Sequence, residues 1–396
     1  MIELKEALQI VLDAARPLGT ERVDMNDALS RILAEDVAAD ADMPPFDKAA
    51  VDGYACRRQD LADALAVVET IAAGAAPVKT VGPNQCAKIM TGAVVPQGAD
   101  CVVMIEQTQA LGPDSIRFTG GQTRDNICRR AEDIRQGQII LRKGSRIGPQ
   151  EIAVLASFGH VRPLVARRPT VAVIASGDEL VLPTEKPGPS QIRNSNSPQL
   201  SAQLRSMGVV AHDCGIVKDT EADIDRILKV VLAEHDVVIM SGGVSAGDFD
   251  FVPGVLRRNN VKLLFEKIAV KPGKPTVFGQ SERGYCFGLP GNPVSTFVMF
   301  ELLVRSFLYR LMGHEYSPTV VQMNLEEPIT RRDAERQGWI PVKLTSGTTV
   351  RPVEYHGSGH ILALCRADGL ISMEIGVERI DNGTPVSVRL LAGSGL

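Results

Sequence analysis

Lys267, Lys271 and Lys274 fall within eight residues in the stretch KIAVKPGKPTVFG, where three like charges repel one another unless something anionic or structural holds them. Pro272, Gly273 and Pro275 exclude a continuous helix that would stack them on one face. The run Ile268-Ala269-Val270 predicts a strand in which Lys267, Ala269 and Lys271 share a face ahead of a Pro/Gly turn. As a pocket wall the lysines would hold phosphate or another tetrahedral dianion as point charges, each charge-assisted hydrogen bond contributing roughly 1.5–3 kcal/mol. As a solvated edge strand they would only discourage aggregation. The prolines and the glycine fix a turn geometry that a surface edge does not need, which favours the pocket.

Asp178, Glu179, Asp219, Asp248 and Asp250 stand where predicted strands end. Together they would make a hard-oxygen cluster suited to Mg²⁺, completed by water and a substrate phosphate, and would form an acidic wall opposite the lysines. Taken singly, each could simply cap a helix N-terminus. Ser176-Gly177 closes one apolar run, and Gly242-Gly243 closes another in SGGVSAGD, where backbone N–H groups can approach an oxyanion. The chain contains neither a Walker A loop nor a G-x-G-x-x-G after a strand. Gly243-x-Ser245-x-Gly247 spells a serine-hydrolase elbow, but that motif needs a helix directly after it, and Pro253 interrupts the following DFDFVPG. His356 and His360 would suit zinc on a helix, yet Gly357 and Gly359 predict a loop.

These residues need a scaffold. Residues 169–312 alternate continuous apolar strands (TVAVIAS, VVAHDCGIV, DVVIMSGG, YCFGL) with helices (SPQLSAQLRSMG, TEADIDRILKVVLAEH, and the long run after GLPGNP). That pattern predicts a parallel sheet covered on both faces, a three-layer α/β domain whose ligands sit beyond the carboxyl ends of its strands. Thr220 is the expected N-cap of the second helix. Before it come an amphipathic helix stopped near Pro17, a second helix in NDALSRILAEDV, β-rich pieces from about 61 to 147, and a helix in QEIAVLASFGH. After about 315 the short β pieces predict a C-terminal β-barrel or sandwich.

With a net charge of −4, the molecule's overall field recruits neither nucleic acid nor anionic lipid, so any anion site must be local. Aromatic content of 4% argues against single-strand stacking platforms, and no run of ~18 apolar residues spans a membrane. Seven scattered cysteines without a C-x-x-C pair argue against a disulfide framework or thiolate zinc site and fit a reducing cytoplasm.

The strings VDGYA (51–55), IMTGAVVPQGAD (89–100), SGDEL (176–180), SNSPQL (195–200), VKDT (217–220), SGGVSAGDFDFV (241–252), KIAVKPGKP (267–275) and GLPGNPVS (288–295) occur in this order. Together they resemble the molybdopterin molybdenumtransferases, the MoeA-type molybdenum insertases related to the C-terminal domain of gephyrin. The resemblance covers essentially the whole chain. It implies a cytoplasmic homodimer with four domains per subunit: residues 1–46 with 134–166, 47–133, 167–314 and a barrel over 315–396. It implies Mg²⁺, the substrates molybdate and adenylylated molybdopterin, release of AMP, and transient contact with the adenylyltransferase and other cofactor-biosynthesis proteins. Carried over by position, it assigns function to Asp52 and Thr91, and metal and pterin handling to Glu179, Asp219 and Asp250. Lys267 and Lys271 become the basic pair, with Lys274 adjacent. Ser176, Gly177, Gly242, Gly243, Ser245, Pro290, Gly291, Pro293 and Ser358 become pocket positions. Departures are Val51, where Met is usual, and Ala131, where the pattern has Gly before Glu132-Asp133. Two other readings remain: a non-catalytic scaffold, as gephyrin's related domain clusters receptors, and a serine hydrolase acting through Ser245.

Overall fold

A computed structural model describes residues 1–244, 251–345 and 347–391. Ser245, Asp248 and Asp250 therefore lie outside the described residues. The chain forms two compact units: Glu35–Lys143 with Pro149–Pro163, and Met1–Ala34, Gly144–Gly148 and the chain from Leu164 onward.

The larger unit is built on a six-stranded sheet. Its strands are β1 (Val171–Ser176), β2 (Ala211–Val217), β3 (Val237–Ser241), β4 (Lys262–Phe265), β6 (Val277–Gln280) and β7 (Tyr285–Leu289), in the order β2-β1-β3-β7-β6-β4. A two-residue strand, β5 (Val270–Lys271), belongs elsewhere. The pairs β2/β1, β1/β3 and β3/β7 are parallel, as the apolar runs predict, while β6 and β4 add an antiparallel edge. Alternate residues of β1 face opposite layers, Val171 and Val173 one core, Ala172 and Ile174 the other. Helix α1 (Leu4–Ala14), α2 (Asn196–Arg205) and the run α5 (Pro293–Met299), a π-helical turn (Phe300–Val304) and α6 (Arg305–Leu311) pack on the first face. Helices α3 (Glu221–Glu234) and α4 (Val252–Arg258) cover the second. Thr220 caps α3 as expected, its Oγ1 accepting from the Asp223 N–H at 3.2 Å. Because β2 and β3 lie on opposite sides of β1, the chain reverses direction across the sheet there. That places a crevice at the carboxyl ends of β1 and β3, where ligands bind in such folds.

Five further strands, β8 (Val320–Leu325), β9 (Gln337–Leu344), β10 (Thr349–Pro352), β11 (Gly369–Met373) and β12 (Pro385–Leu390), pair in the ring β9-β10-β8-β12-β11-β9. This is a closed barrel around Val342, Val350, Ile371 and Val388, and closure removes the edges that a sandwich would leave.

In the smaller unit six strands pair in the order Cys101–Met104, Gly53–Cys56, Gln85–Ile89, Ala64–Ile71, Ser115–Phe118 and Thr108–Gly112. Register places Cys56 directly opposite both Cys86 and Cys101 in a buried row that spacing alone did not reveal. Burial pushes the Cys86 thiol up to about 12, so Cys86 is a core group rather than a nucleophile.

One expected element is absent. Residues 26–37 form no helix: Met25–Asp27 is a single 3₁₀ turn, and Ile32 and Leu33 make isolated bridges to Arg146 and Val165. Both side chains are buried, and the pairing partners, remote in sequence, outweigh local helix propensity. Ala131 adopts φ +60°, the left-handed conformation that its glycine-bearing counterpart pattern suits. Ala131→Gly is expected to stabilise the smaller unit by roughly 0.5–1 kcal/mol, the relieved strain less the added chain entropy. A thermal melt should show a rise of about 3 °C.

Candidate active site

At the crevice, Ser176 ends β1 and its Oγ–H donates to Asp219 Oδ1 at 2.6 Å. The Asp219 N–H donates to Asp178 Oδ1 at 3.3 Å, so two of the five acids are joined, through a backbone donor rather than carboxylate to carboxylate. Glu179 folds back over Gly177, where an added Cβ would lie 2.5 Å from its Oε2. Gly242 follows β3 at φ +99°, and a Cβ there would stand 2.3 Å from the Ser176 carbonyl oxygen. Only glycine fits that backbone crossing. Gly243 lies beside the same serine and Asp219.

The turn after β7 closes the crevice. The Gly242 N–H donates to the Leu289 carbonyl at 3.1 Å, and Ser241 Oγ–H to the Pro290 carbonyl at 3.3 Å. Asn196 Nδ2 donates to Ser241 Oγ and to the Gly291 carbonyl, both at 2.7 Å, and Thr296 Oγ1–H donates to the Pro290 carbonyl at 2.5 Å. Pro293 occupies the first turn of α5, where its fixed φ costs nothing. Asn196 and Thr296 hold this turn, and spacing gave no sign of either role.

On its other side the turn walls a cleft of about 770 Å³, lined by Pro290, Asn292 and Ser295, by Lys271 to Pro275, and by barrel residues including Arg331, Arg336, Trp339, Tyr355 and Ser358. Ser358 is fixed to the turn: its hydroxyl oxygen accepts from Asn292 Nδ2 at 2.9 Å and its carbonyl from the Val294 N–H at 3.1 Å. Burial pushes the Tyr355 phenol up to about 12, keeping it neutral.

The lysine segment departs from expectation in two ways. First, the strand is only Val270–Lys271 (β5), and it pairs in parallel with barrel strand β9, Val270 opposite Gln337 and Lys271 opposite Gly338. Gly273 then turns at φ +126° with no room for a Cβ, which would lie 2.2 Å from Met299 Sδ, and the Ile268 N–H donates to the Lys274 carbonyl at 3.0 Å. Lys271 and Lys274 both line the cleft, but Lys267 does not: it is exposed, and its carbonyl accepts from the Ile2 N–H at 3.3 Å. Second, the facing wall is not acidic. No carboxylate is among the described lining residues; the acids lie across the Pro290–Pro293 turn instead. Arg331 spends its guanidinium on the carbonyls of Val377, Arg336 and Glu374 and acts as a brace.

Ser245 and Gly247 of the serine-hydrolase motif lie outside the described residues; the next described helix, α4, begins at Val252, and Pro253 sits in its first turn instead of interrupting it. His356 and His360 lie in a loop with stacked rings, His356 pairing with Glu354 at 3.1 Å. Among the described residues no three His, Cys, Asp or Glu side chains form a metal-holding group.

In the smaller unit Asp52 directly precedes the strand Gly53–Cys56 and Thr91 follows its neighbour Gln85–Ile89, with Gly53 opposite Ile89. The Thr91 N–H and Oγ1–H both donate to Asp52 Oδ1 at 2.7 Å. These bonds, the backbone one foremost, lower the Asp52 pKa although the group is exposed. Its share of stability is complete above about pH 4, the unfolded value, and fades as pH falls through the lower folded value. Thr91→Val removes one donor, so NMR titration should find the Asp52 midpoint moved up toward the ordinary range, and the acid-dependent loss of stability should be smaller and complete at a higher pH.

Comparison with known proteins agrees with this architecture. Residues 2–159 match the MoeA N-terminal region (domain I and II), residues 172–310 a probable molybdopterin binding domain, and residues 325–391 the MoeA C-terminal region (domain IV). The chain is 36% identical to a molybdopterin molybdenumtransferase of Staphylococcus epidermidis, covering 98% of this chain and 95% of that protein. A Staphylococcus aureus protein of the same name is 34% identical over the same shares. Two structures of a molybdopterin biosynthesis MoeA protein from Pyrococcus horikoshii superimpose with TM-scores of 0.82 and 0.86 at 31% and 29% identity, each over 99% of this chain and 100% of the other. The chain belongs to the MoeA family of molybdopterin molybdenumtransferases.

Proposed function

We propose that this enzyme takes molybdate and adenylylated molybdopterin, places molybdenum on the dithiolene and releases AMP, with Mg²⁺ as its cation. The observation that carries the reading is the Pro290–Pro293 turn, which is shared by two sites of opposite character. One side is the crevice of Ser176, Asp219, Glu179 and Gly242-Gly243; the other is the cleft of Lys271, Lys274, Arg336 and Ser358.

Molybdate is a tetrahedral dianion, and the cleft offers cations, with no carboxylate among its described lining residues. Lys271, Lys274 and Arg336 hold it, each charge-assisted bond contributing roughly 1.5–3 kcal/mol. The Ser358 hydroxyl, fixed by Asn292, orients one oxygen. In the crevice, the Gly242 N–H is already taken by the Leu289 carbonyl, so Gly243 is the glycine whose backbone N–H would meet the substrate's phosphates. Asp219 and Glu179 supply the hard oxygens that Mg²⁺ takes when substrate phosphate and water complete its shell. Bound there, Mg²⁺ would neutralise charge at the phosphoanhydride. Oxo groups that leave molybdenum must depart as water, so a proton must reach them. The Asp52–Thr91 pair belongs to the same reaction in the homodimer that the resemblance implies.

The reading is tested by incubating purified protein with adenylylated molybdopterin and Mg²⁺ and following AMP as molybdate is added. Molybdate-dependent AMP is the expected result; no AMP under any condition overturns it.

A further inference from the structure

The cleft's cations are not equally free. Lys271 Nζ lies 3.3 Å and the Arg336 guanidinium 2.8 Å from the same carboxylate oxygen, Asp333 Oδ2. The other oxygen, Oδ1, accepts from the Glu335 N–H at 3.1 Å. These three donors hold the Asp333 carboxyl far below the usual range, the Arg336 bond foremost. Among the described residues no carboxylate pairs with Lys274, on the other side of the Pro272-Gly273 turn. Asp333 itself does not line the cleft, although both of its partners do.

We propose that Asp333 is an internal counter-ion of the oxyanion cleft, satisfying Lys271 and Arg336 when no oxyanion is bound and competing with the one that arrives; this rests on the reading of the cleft given above. Lysine carries three N–H donors and arginine five, so both can turn toward a ligand without leaving the carboxylate wholly. The dianion then meets a pair of cations whose net charge is one rather than two. Asp333 is only partly covered and its field is screened by salt, so the penalty is modest and tunable. Such a counter-ion weakens retention of the oxyanion and keeps two like charges from repelling each other in the free protein. A merely structural role for Asp333 predicts the opposite sign, because loosening Lys271 and Arg336 would weaken binding.

The test is calorimetric titration of sodium molybdate alone into the full chain. Asp333→Asn, which keeps the shape and an acceptor, is expected to bind roughly three- to tenfold tighter than the parent at low ionic strength. The gain should shrink as salt rises from about 0.05 M to about 0.5 M. It should shrink when Lys271→Ala is added and vanish only when Arg336→Ala is added as well, and Asp333→Glu should stay within about twofold of the parent. Unchanged or weaker binding by a folded Asp333→Asn, while the parent binds, overturns the counter-ion. Failure of both proteins to bind molybdate is a different result, and it overturns the assignment of the cleft itself.

Discussion

Replacing Lys271 with alanine is expected to slow molybdate-dependent AMP release roughly 10- to 100-fold at limiting molybdate, the loss of one or more charge-assisted bonds to the dianion. The change should appear mainly as a higher molybdate concentration for half-maximal rate, because the ammonium holds the oxyanion in the ground state as well. Stability should hardly move. Lys271 is about half exposed, with a side-chain relative accessibility of 51%, and among the described residues its only ion pair is with the partly exposed Asp333. Such pairs contribute about 0–1 kcal/mol. A steady-state titration with molybdate, beside a thermal melt of the same preparation, separates the two effects. A lowered rate with an unshifted melt is the expected pattern; an unchanged molybdate dependence contradicts the assignment.

The largest effect on stability is expected far from the cleft, at Arg305. Its guanidinium donates from Nε and an Nη to the two oxygens of Glu301, both at 2.7 Å, and each side chain is 6% exposed. Gln203 Nε2 donates to Glu301 Oε1 at 2.8 Å, and the guanidinium stacks 5.5 Å from the Phe300 ring. The backbone carbonyl of Glu301, in the π-helical turn, also accepts from Arg389 of the last barrel strand. Arg305→Ala leaves a buried carboxylate without its cation and should cost about 3–5 kcal/mol. For a unit of this size that lowers the melting temperature by roughly 10 °C. Replacing both partners, Glu301→Gln with Arg305→Met, removes the unpaired charge and should recover most of the loss. If the single variant melts within a degree or two of the parent, the pair is not the structural tie described.

What was legible in the chain follows from the range of the forces involved. Local signals worked: apolar runs for β1, β3 and β7, Thr220 as a cap, Gly159 and Gly208 at positive φ just past their helices. The Asp52–Thr91 pair came from resemblance rather than spacing, and the sheet register brings the two together. The cleft was only half readable. Lys271 stands out by charge density, but Asp333 meets it across 62 residues of chain. Arg336, Trp339 and Tyr355 reach the cleft only because the barrel closes and β5 joins β9. Lys267 was grouped with its neighbours because strand alternation puts it on their face, whereas the strand is only Val270–Lys271 and Lys267 lies exposed outside the cleft. The expected helix over 26–37 failed because the partners of Ile32 and Leu33 are far away in sequence.

The central claim is that molybdenum insertion and AMP release are one reaction of this chain. Its most direct test is a single-turnover experiment with adenylylated molybdopterin and Mg²⁺, counting AMP released and molybdenum bound to the pterin in the same sample. The account predicts that the two appear together, in equal amounts, and only when molybdate is present. AMP released at the same rate without molybdate, or released with no molybdenum on the pterin, would contradict it.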